Sequence, residues 1–108
     1  MKICQVVFTA EAEDDVAEIF AYIRDRDALG RARHVLAQIE RVCADLARVP
    51  LRGHVPPELL RVAVVRYREV HFKPYRVIYE VSARRVVVHA VLDGRRDLQT
   101  ALARRLLR

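Results

Sequence analysis

The stretch from Phe72 to Asp97 constrains this chain more than any other. Two runs dense in Val, Ile and Tyr, Tyr75 to Val81 and Val86 to Leu92, flank the short polar break Ser82-Ala83-Arg84-Arg85. β-Branched and aromatic residues on both sides of such a break predict a β-hairpin. The first run alternates, with Tyr75, Val77, Tyr79 and Val81 against Arg76, Ile78, Glu80 and Ser82. The second is apolar at nearly every position, which predicts a strand covered on both faces, inside a sheet. Arginines bracket the hairpin: Arg76 as it begins, Arg84 and Arg85 at its turn, Arg95 and Arg96 as it ends.

The rest of the chain is read around that hairpin. Ile3 to Phe8 is a first strand. Thr9 is a good N-cap, and Glu11, Glu13, Asp14 and Asp15 suit the positive end of a helix over about 10–25. Those four carboxylates read as a solvated face that helps the helix start. Val16, Ile19, Phe20 and Ile23 form its apolar side. After Asp25 to Gly30, the stripe Ala32, Val35, Leu36, Ile39, Val42, Cys43 and Leu46 predicts a second helix, which Val49-Pro50 ends. Two helices with a short joint form an antiparallel pair that packs on a sheet. Pro50 to Pro57 is a loop, and Glu58-Leu59-Leu60 is a turn of helix. Val62 to Phe72 is the next strand. It carries polar groups on both parities, which makes it an edge strand or the wall of a site. Tyr67, Glu69 and His71 share one parity. Asp97 caps a tail helix with Leu98, Leu102 and Leu106 spaced four apart and Arg104, Arg105 and Arg108 near its end. The fold class is α+β: a strand, a helical hairpin, a three-stranded antiparallel meander and a short C-terminal helix.

At 108 residues the chain is sized for a single domain over 1–108. No apolar run approaches a membrane span, and the N-terminus lacks the features of a signal peptide, so a cytoplasmic protein is expected. Cys4 and Cys43 fall at apolar positions and read as free thiols; their spacing offers no zinc site, and neither metal nor cofactor is expected. The net charge of +6 is unevenly spread. Residues 1–30 hold three Lys/Arg against seven Asp/Glu, whereas residues 61–108 hold twelve against four. A basic sheet half facing away from an acidic front points to an acidic or polyanionic partner. Eighteen of the twenty basic residues are Arg, which binds phosphate and carboxylate in a bidentate way that Lys cannot.

Three segments carry a resemblance: Phe8 to Asp15, Tyr75-Arg76-Val77-Ile78-Tyr79, and Val88 to Leu98. With the order of elements, they resemble the RelE/ParE superfamily of bacterial toxins from type II toxin–antitoxin modules, closer to the ParE-like branch. The resemblance implies one of two activities. RelE-like members cut messenger RNA in the ribosomal A site, and ParE-like members poison DNA gyrase without nuclease chemistry of their own. RNA cleavage through the 2′-hydroxyl needs proton carriers and cations at the phosphorane. In RelE-like members these are two lysines on the strand before the hairpin, two arginines flanking it and a tyrosine near the C-terminus. By resemblance Arg76 and Arg96 match the arginines, but the lysine positions fall on Tyr67 and Glu69 and the tyrosine on Leu102. Some relatives use Glu, His and Tyr instead, which Tyr67, Glu69 and His71 would supply beside Arg76. The catalytic set under the RNase reading is therefore Tyr67, Glu69, His71, Arg76 and Arg96. His71 and Glu69 read equally as surface residues of an edge strand, His89 as a core histidine, and His34 and His54 show no usable spacing.

The ParE-like reading fits Leu92 to Leu98 and does not require the absent lysines and tyrosine. It makes DNA gyrase the target, with Arg76, Arg95 and Arg96 as target- or phosphate-binding residues. A third reading is a plain nucleic-acid-binding domain whose affinity falls steeply with salt. Both toxin readings imply a cognate antitoxin and a toxin–antitoxin hetero-oligomer, with gyrase, or alternatively the ribosome and mRNA, as the second partner. Leu98, Leu102, Leu106, Arg66 and Arg68 are the candidate antitoxin contacts, although the three leucines equally fit packing on the chain's own sheet.

Overall fold

The computed structural model describes residues 3–107; the readings that touch Met1, Lys2 and Arg108 lie outside them. The elements are β1 (Gln5–Phe8), α1 (Ala10–Arg26), α2 (Leu29–Asp45), α3 (Pro57–Leu60), β2 (Tyr67–Phe72), β3 (Tyr75–Ser82), β4 (Arg85–Asp93) and α4 (Leu98–Leu106). They form one four-stranded sheet in the order β1-β4-β3-β2. The meander β2-β3-β4 is antiparallel, and β1 lies parallel to β4 at the other edge. The expected α+β architecture is present, and so is the interior position of the second hairpin strand. Among the described residues, no helix is long and apolar enough to cross a membrane.

Three of the four helices have a local cause for their start. Thr9 Oγ1 accepts from the Ala12 amide at 3.1 Å, and Asp97 accepts from the Thr100 amide at 3.2 Å. Proline opens α3, where its missing N–H costs nothing. β2 begins at Tyr67, later than the expected Val62. The chain first turns out of α3, with Val62 and Ala63 donating back to Leu59 and Leu60 and Ala63 in the left-handed region at φ 61°.

The sheet is covered on both faces. Ala12, Val35, Ile39, Cys43 and Leu46 of the helical hairpin pack on Tyr75, Val77, Tyr79, Val86, Val88 and Val91. On the other face Leu59 and the α4 residues Leu98, Leu102 and Leu106 pack on Tyr67, Ile78 and Ala90. The β4 run lacks alternation for two reasons: both its faces are buried, and a bulge opposite Ile78 and Tyr79 adds His89 and shifts parity, so that Val86 and Val88 are followed on one face by Val91. Cys43 is buried, and desolvation, with Glu40 second, pushes its thiol up to about 12; it is an inert core residue.

The acidic start of α1 is not wholly a solvated face. β4 outruns β1, which leaves the Val91 amide without a strand partner, and Asp15 Oδ2 accepts it at 2.9 Å. The same carboxylate receives Arg105 of α4 at 2.9 and 3.1 Å, and Arg105 also donates to the His89 carbonyl at 2.9 Å. One half-buried carboxylate therefore ties α1, β4 and α4 together. Asp15→Ala is expected to destabilise the protein by about 2 kcal/mol, because it strands a sheet amide and takes the bidentate partner from a half-buried guanidinium, which keeps Glu11 at 3.2 Å and the His89 carbonyl. Asp15→Asn, which can still accept from Val91, should cost less. Urea denaturation measures both, and equal, small losses would contradict the bracing role.

Candidate functional site

The face of the sheet turned away from the helical hairpin carries the chain's most concentrated ionisable group. Alternation places Tyr67, Glu69 and His71 of β2 on that face, and β3 places Arg76 directly across from His71. Glu69 is buried to 1 % exposure. A charge that deep must be compensated. Arg76 supplies the compensation, donating through Nε to Glu69 Oε1 and through Nη2 to Oε2 at 2.8 Å. Its remaining side is met by Glu58 of α3, with Nη1 to Oε2 and Nη2 to Oε1 both at 2.8 Å. The hydrogen bonds from Arg76 hold the Glu58 carboxyl down at about 2, against some desolvation, and those from Glu58 raise the Arg76 pKa further. Two imidazoles complete the group: His54 Nε2 lies 3.1 Å from Glu69 Oε2, and His71 Nε2 lies 3.2 Å from Oε1.

His54 arrives from the loop after α2. It exchanges backbone hydrogen bonds with Glu69 at 3.3 and 2.8 Å, so the loop runs beside β2 as a one-residue extension of the sheet. Three further bonds hold that loop. The Gly53 amide donates to the Tyr79 hydroxyl at 2.9 Å, that hydroxyl donates to the Pro50 carbonyl at 2.7 Å, and Arg68 Nη1 donates to the Gly53 carbonyl at 2.7 Å.

The sequence-derived candidates therefore separate into distinct groups. Glu69, His71 and Arg76 come together. Tyr67 belongs to a neighbouring cluster: its ring stands edge-on to His89 at 5.4 Å and carries the Arg66 guanidinium at 5.0 Å, and Arg66 Nη2 donates to its hydroxyl at 3.1 Å. His89, half-buried, pairs with Glu80 at 3.1 Å. Arg95 and Arg96 sit exposed between β4 and α4, in a groove of about 450 Å³ shared with Asp15, Tyr22 and Tyr75 on the helical-hairpin side. Arg76 does not line that groove. Arg95 is paired with Asp93 at 2.7 and 3.0 Å, whereas Arg96 makes no side-chain hydrogen bond or salt bridge among the described residues and acts on Asp93 only through its charge.

Two expectations change. In this arrangement Arg76 is not a free phosphate clamp, because Nε, Nη1 and Nη2 all donate to carboxylates. Leu98, Leu102 and Leu106 are buried in the chain's own core, so in this conformation they are not open to an antitoxin. Of the remaining antitoxin candidates, Arg68 is half-buried and serves the 51–53 loop, and Arg66 is exposed on Tyr67. Sequence reasoning missed Glu58 and His54. Neither belongs to a periodic pattern with Glu69 and His71 of β2.

The comparisons bear on the whole chain. The family described as the ParE toxin of the type II toxin–antitoxin system, parDE, matches residues 6–98. No curated protein matches the sequence. Among solved structures, a chain of the chromosomal ParDE system from P. aeruginosa superposes with a TM-score of 0.69 at 15 % identity, covering 82 % of this chain and 94 % of that one. A chain of the RelBE2 toxin–antitoxin complex from Mycobacterium tuberculosis gives 0.64 at 24 % identity, covering 86 % and 93 %. At such identities the superpositions establish the shared fold and nothing finer. The family match spans nearly all of the folded chain, from β1 to the first residue of α4, and by it the chain belongs to the ParE toxins of type II toxin–antitoxin systems.

Proposed function

We propose that this toxin acts by binding rather than by cutting RNA, with DNA gyrase as its target and a cognate antitoxin as its inhibitor. The observation that carries this reading is the closed Glu58–Arg76–Glu69 group. A ribonuclease needs uncommitted positive charge at the scissile phosphate. Here the arginine expected to supply it is 13 % exposed and held between two carboxylates. With neutral imidazoles the group is net negative, which repels a phosphodiester. Leu102, at the position of the RelE-type tyrosine, is buried in the core, and Tyr67 and Glu69 stand where lysines would be. Four exposed arginines lie instead at the two ends of the hairpin, Arg84 and Arg85 at one and Arg95 and Arg96 at the other. That distribution suits docking on an acidic protein surface or on a nucleic-acid backbone held by the target.

An antitoxin has apolar surface to cover. A groove of about 420 Å³ between α1, α2 and β1 is lined by Val6, Phe8, Val16 and Ile39, with Glu13 and Glu40 at its rim. An amphipathic segment fits such a groove through spaced apolar anchors.

Inducible expression followed by pulse labelling of DNA and protein synthesis tests the target. DNA synthesis is expected to stop first, and purified protein should inhibit gyrase supercoiling. His71→Ala, at an exposed position, should leave toxicity within about twofold of wild type, whereas loss of a proton carrier in an RNase costs about 100-fold or more. Collapse of protein synthesis within minutes, with messages cut inside codons and His71→Ala inactive, would overturn the binding reading.

A further inference from the structure

Two imidazoles and a carboxylate meet at the edge of β2 in a group that gyrase binding does not use. Glu69 has His54 Nε2 at 3.1 Å from one oxygen and His71 Nε2 at 3.2 Å from the other. All three ligand atoms lie within 4.8 Å of one another. Around a tetrahedral ion with bonds of about 2.0–2.1 Å, neighbouring ligand atoms are about 3.3 Å apart. Each imidazole already has that separation from one carboxylate oxygen, but from a different one, so an ion on a single oxygen needs one imidazole to swing toward it. The separation between the imidazoles can close by small ring rotations, since His54 and His71 are 61 % and 39 % exposed.

We propose that His54, Glu69 and His71 bind one divalent transition-metal ion of the zinc class, with the remaining position open to solvent. Four features of the surroundings support this. The loop is held in place: backbone bonds between His54 and Glu69, the Tyr79 hydroxyl on Gly53 and Arg68 on the Gly53 carbonyl fix where His54 stands before any ion arrives. The carboxylate is oriented from behind by Arg76, as ligand carboxylates are by hydrogen-bonding partners outside the coordination sphere. The charge is suitable, because Glu58, Arg76 and Glu69 together leave one negative charge for a cation to offset. The donor set of two imidazoles and one carboxylate favours Zn²⁺, Co²⁺, Ni²⁺ or Cu²⁺ over Mg²⁺ or Ca²⁺. Arg76 also withdraws charge from Glu69, so the affinity should fall below that of a closed structural zinc site. Spacing along the chain gave no sign of this site because its ligands come from a loop and a strand paired only in the fold.

The ion would bind the folded chain and join the 50–54 loop to β2, so it should raise stability by mass action. The test uses the purified full chain, stripped with chelator and titrated with Zn²⁺ by calorimetry and thermal melting, with Co²⁺ as an absorption probe. One equivalent should bind. The melting temperature should rise by about 10 °C at a hundredfold excess over Kd, and Co²⁺ should show intense visible bands of low-symmetry coordination. His54→Ala and His71→Ala, both at exposed positions that leave the fold intact, should each weaken binding at least tenfold, and His34→Ala should not. Three outcomes would overturn the proposal: no Zn²⁺ heat or melting shift in the wild type; unchanged binding in the double His54→Ala, His71→Ala variant; or a melting temperature that responds to pH through the two histidines but not to metal, which would make the group a proton-sharing pair. None of these readouts depends on the toxin's target.

Discussion

Gly53→Ala is expected to unfold this protein more readily than any surface change, at a cost of about 3 kcal/mol or more. A Cβ at Gly53 would stand 2.3 Å from the Glu69 carbonyl oxygen, 2.9 Å from its carbon and 2.8 Å from the Tyr79 hydroxyl. Two of those atoms are backbone of an edge strand and cannot yield as a side-chain tip can. Gly53 has no positive φ, so its need for glycine is closeness of approach rather than conformational freedom. The loop must therefore lift off β2, and the lift breaks a chain of contacts. The His54–Glu69 backbone pair opens, the buried Tyr79 hydroxyl loses one partner, and His54 leaves Glu69. Chemical denaturation should show a lower midpoint. Amide exchange should speed up at Glu69 and His54 well before the central strands β3 and β4. Gly30→Ala is the control: nothing lies within 4 Å of a Cβ there, and in α2 the change should be neutral or mildly stabilising. A Gly53→Ala protein as stable as wild type would mean that the loop does not pack as described.

What the sequence disclosed depended on whether a feature repeats locally. The stripe from Ala32 to Leu46 repeats every three or four residues, and the helix it predicts is α2. The Tyr75 to Val81 alternation repeats every two, and it separates the faces of β3 correctly. Parity put Glu69 and His71 on one surface, and the strand register adds Arg76 to it. It could not say that Glu58 and His54 join them, because those residues reach the group through a one-turn helix and a single bridge, which leave no period to read. Asp15 failed for a related reason. Four acids at a helix start look equivalent in one dimension, but the mismatch in length between β1 and β4 gives Asp15 alone an amide to accept. The resemblance identified Arg76 by position. It did not identify its partners, and the partners decide whether a guanidinium faces a ligand or a carboxylate.

Arg76→Ala is expected to cost about 3 kcal/mol, because it leaves the buried Glu69 and the partly buried Glu58 facing each other without their cation. The pH dependence should change with it. In the wild type Glu58 has a lowered pKa, so its contribution is fully present above the ordinary carboxylate value and is lost as pH falls towards about 2. Acid should therefore destabilise the wild type below about pH 4.5. In Arg76→Ala that hydrogen bonding is gone, and desolvation together with the facing carboxylate favours a protonated Glu58. The variant should therefore gain stability relative to wild type as pH falls from 8 to 5. Replacing the whole group, with Glu58→Gln and Glu69→Gln added to Arg76→Met, removes every stranded charge while keeping most of the volume. That triple variant should be more stable than Arg76→Ala alone despite carrying three substitutions. Urea midpoints for the wild type and both variants at pH 5 and pH 8 decide the matter. If Arg76→Ala costs under about 1 kcal/mol at both pH values, the guanidinium is not the centre of the group and is free to serve a target, which would also remove the main support for a non-nuclease toxin.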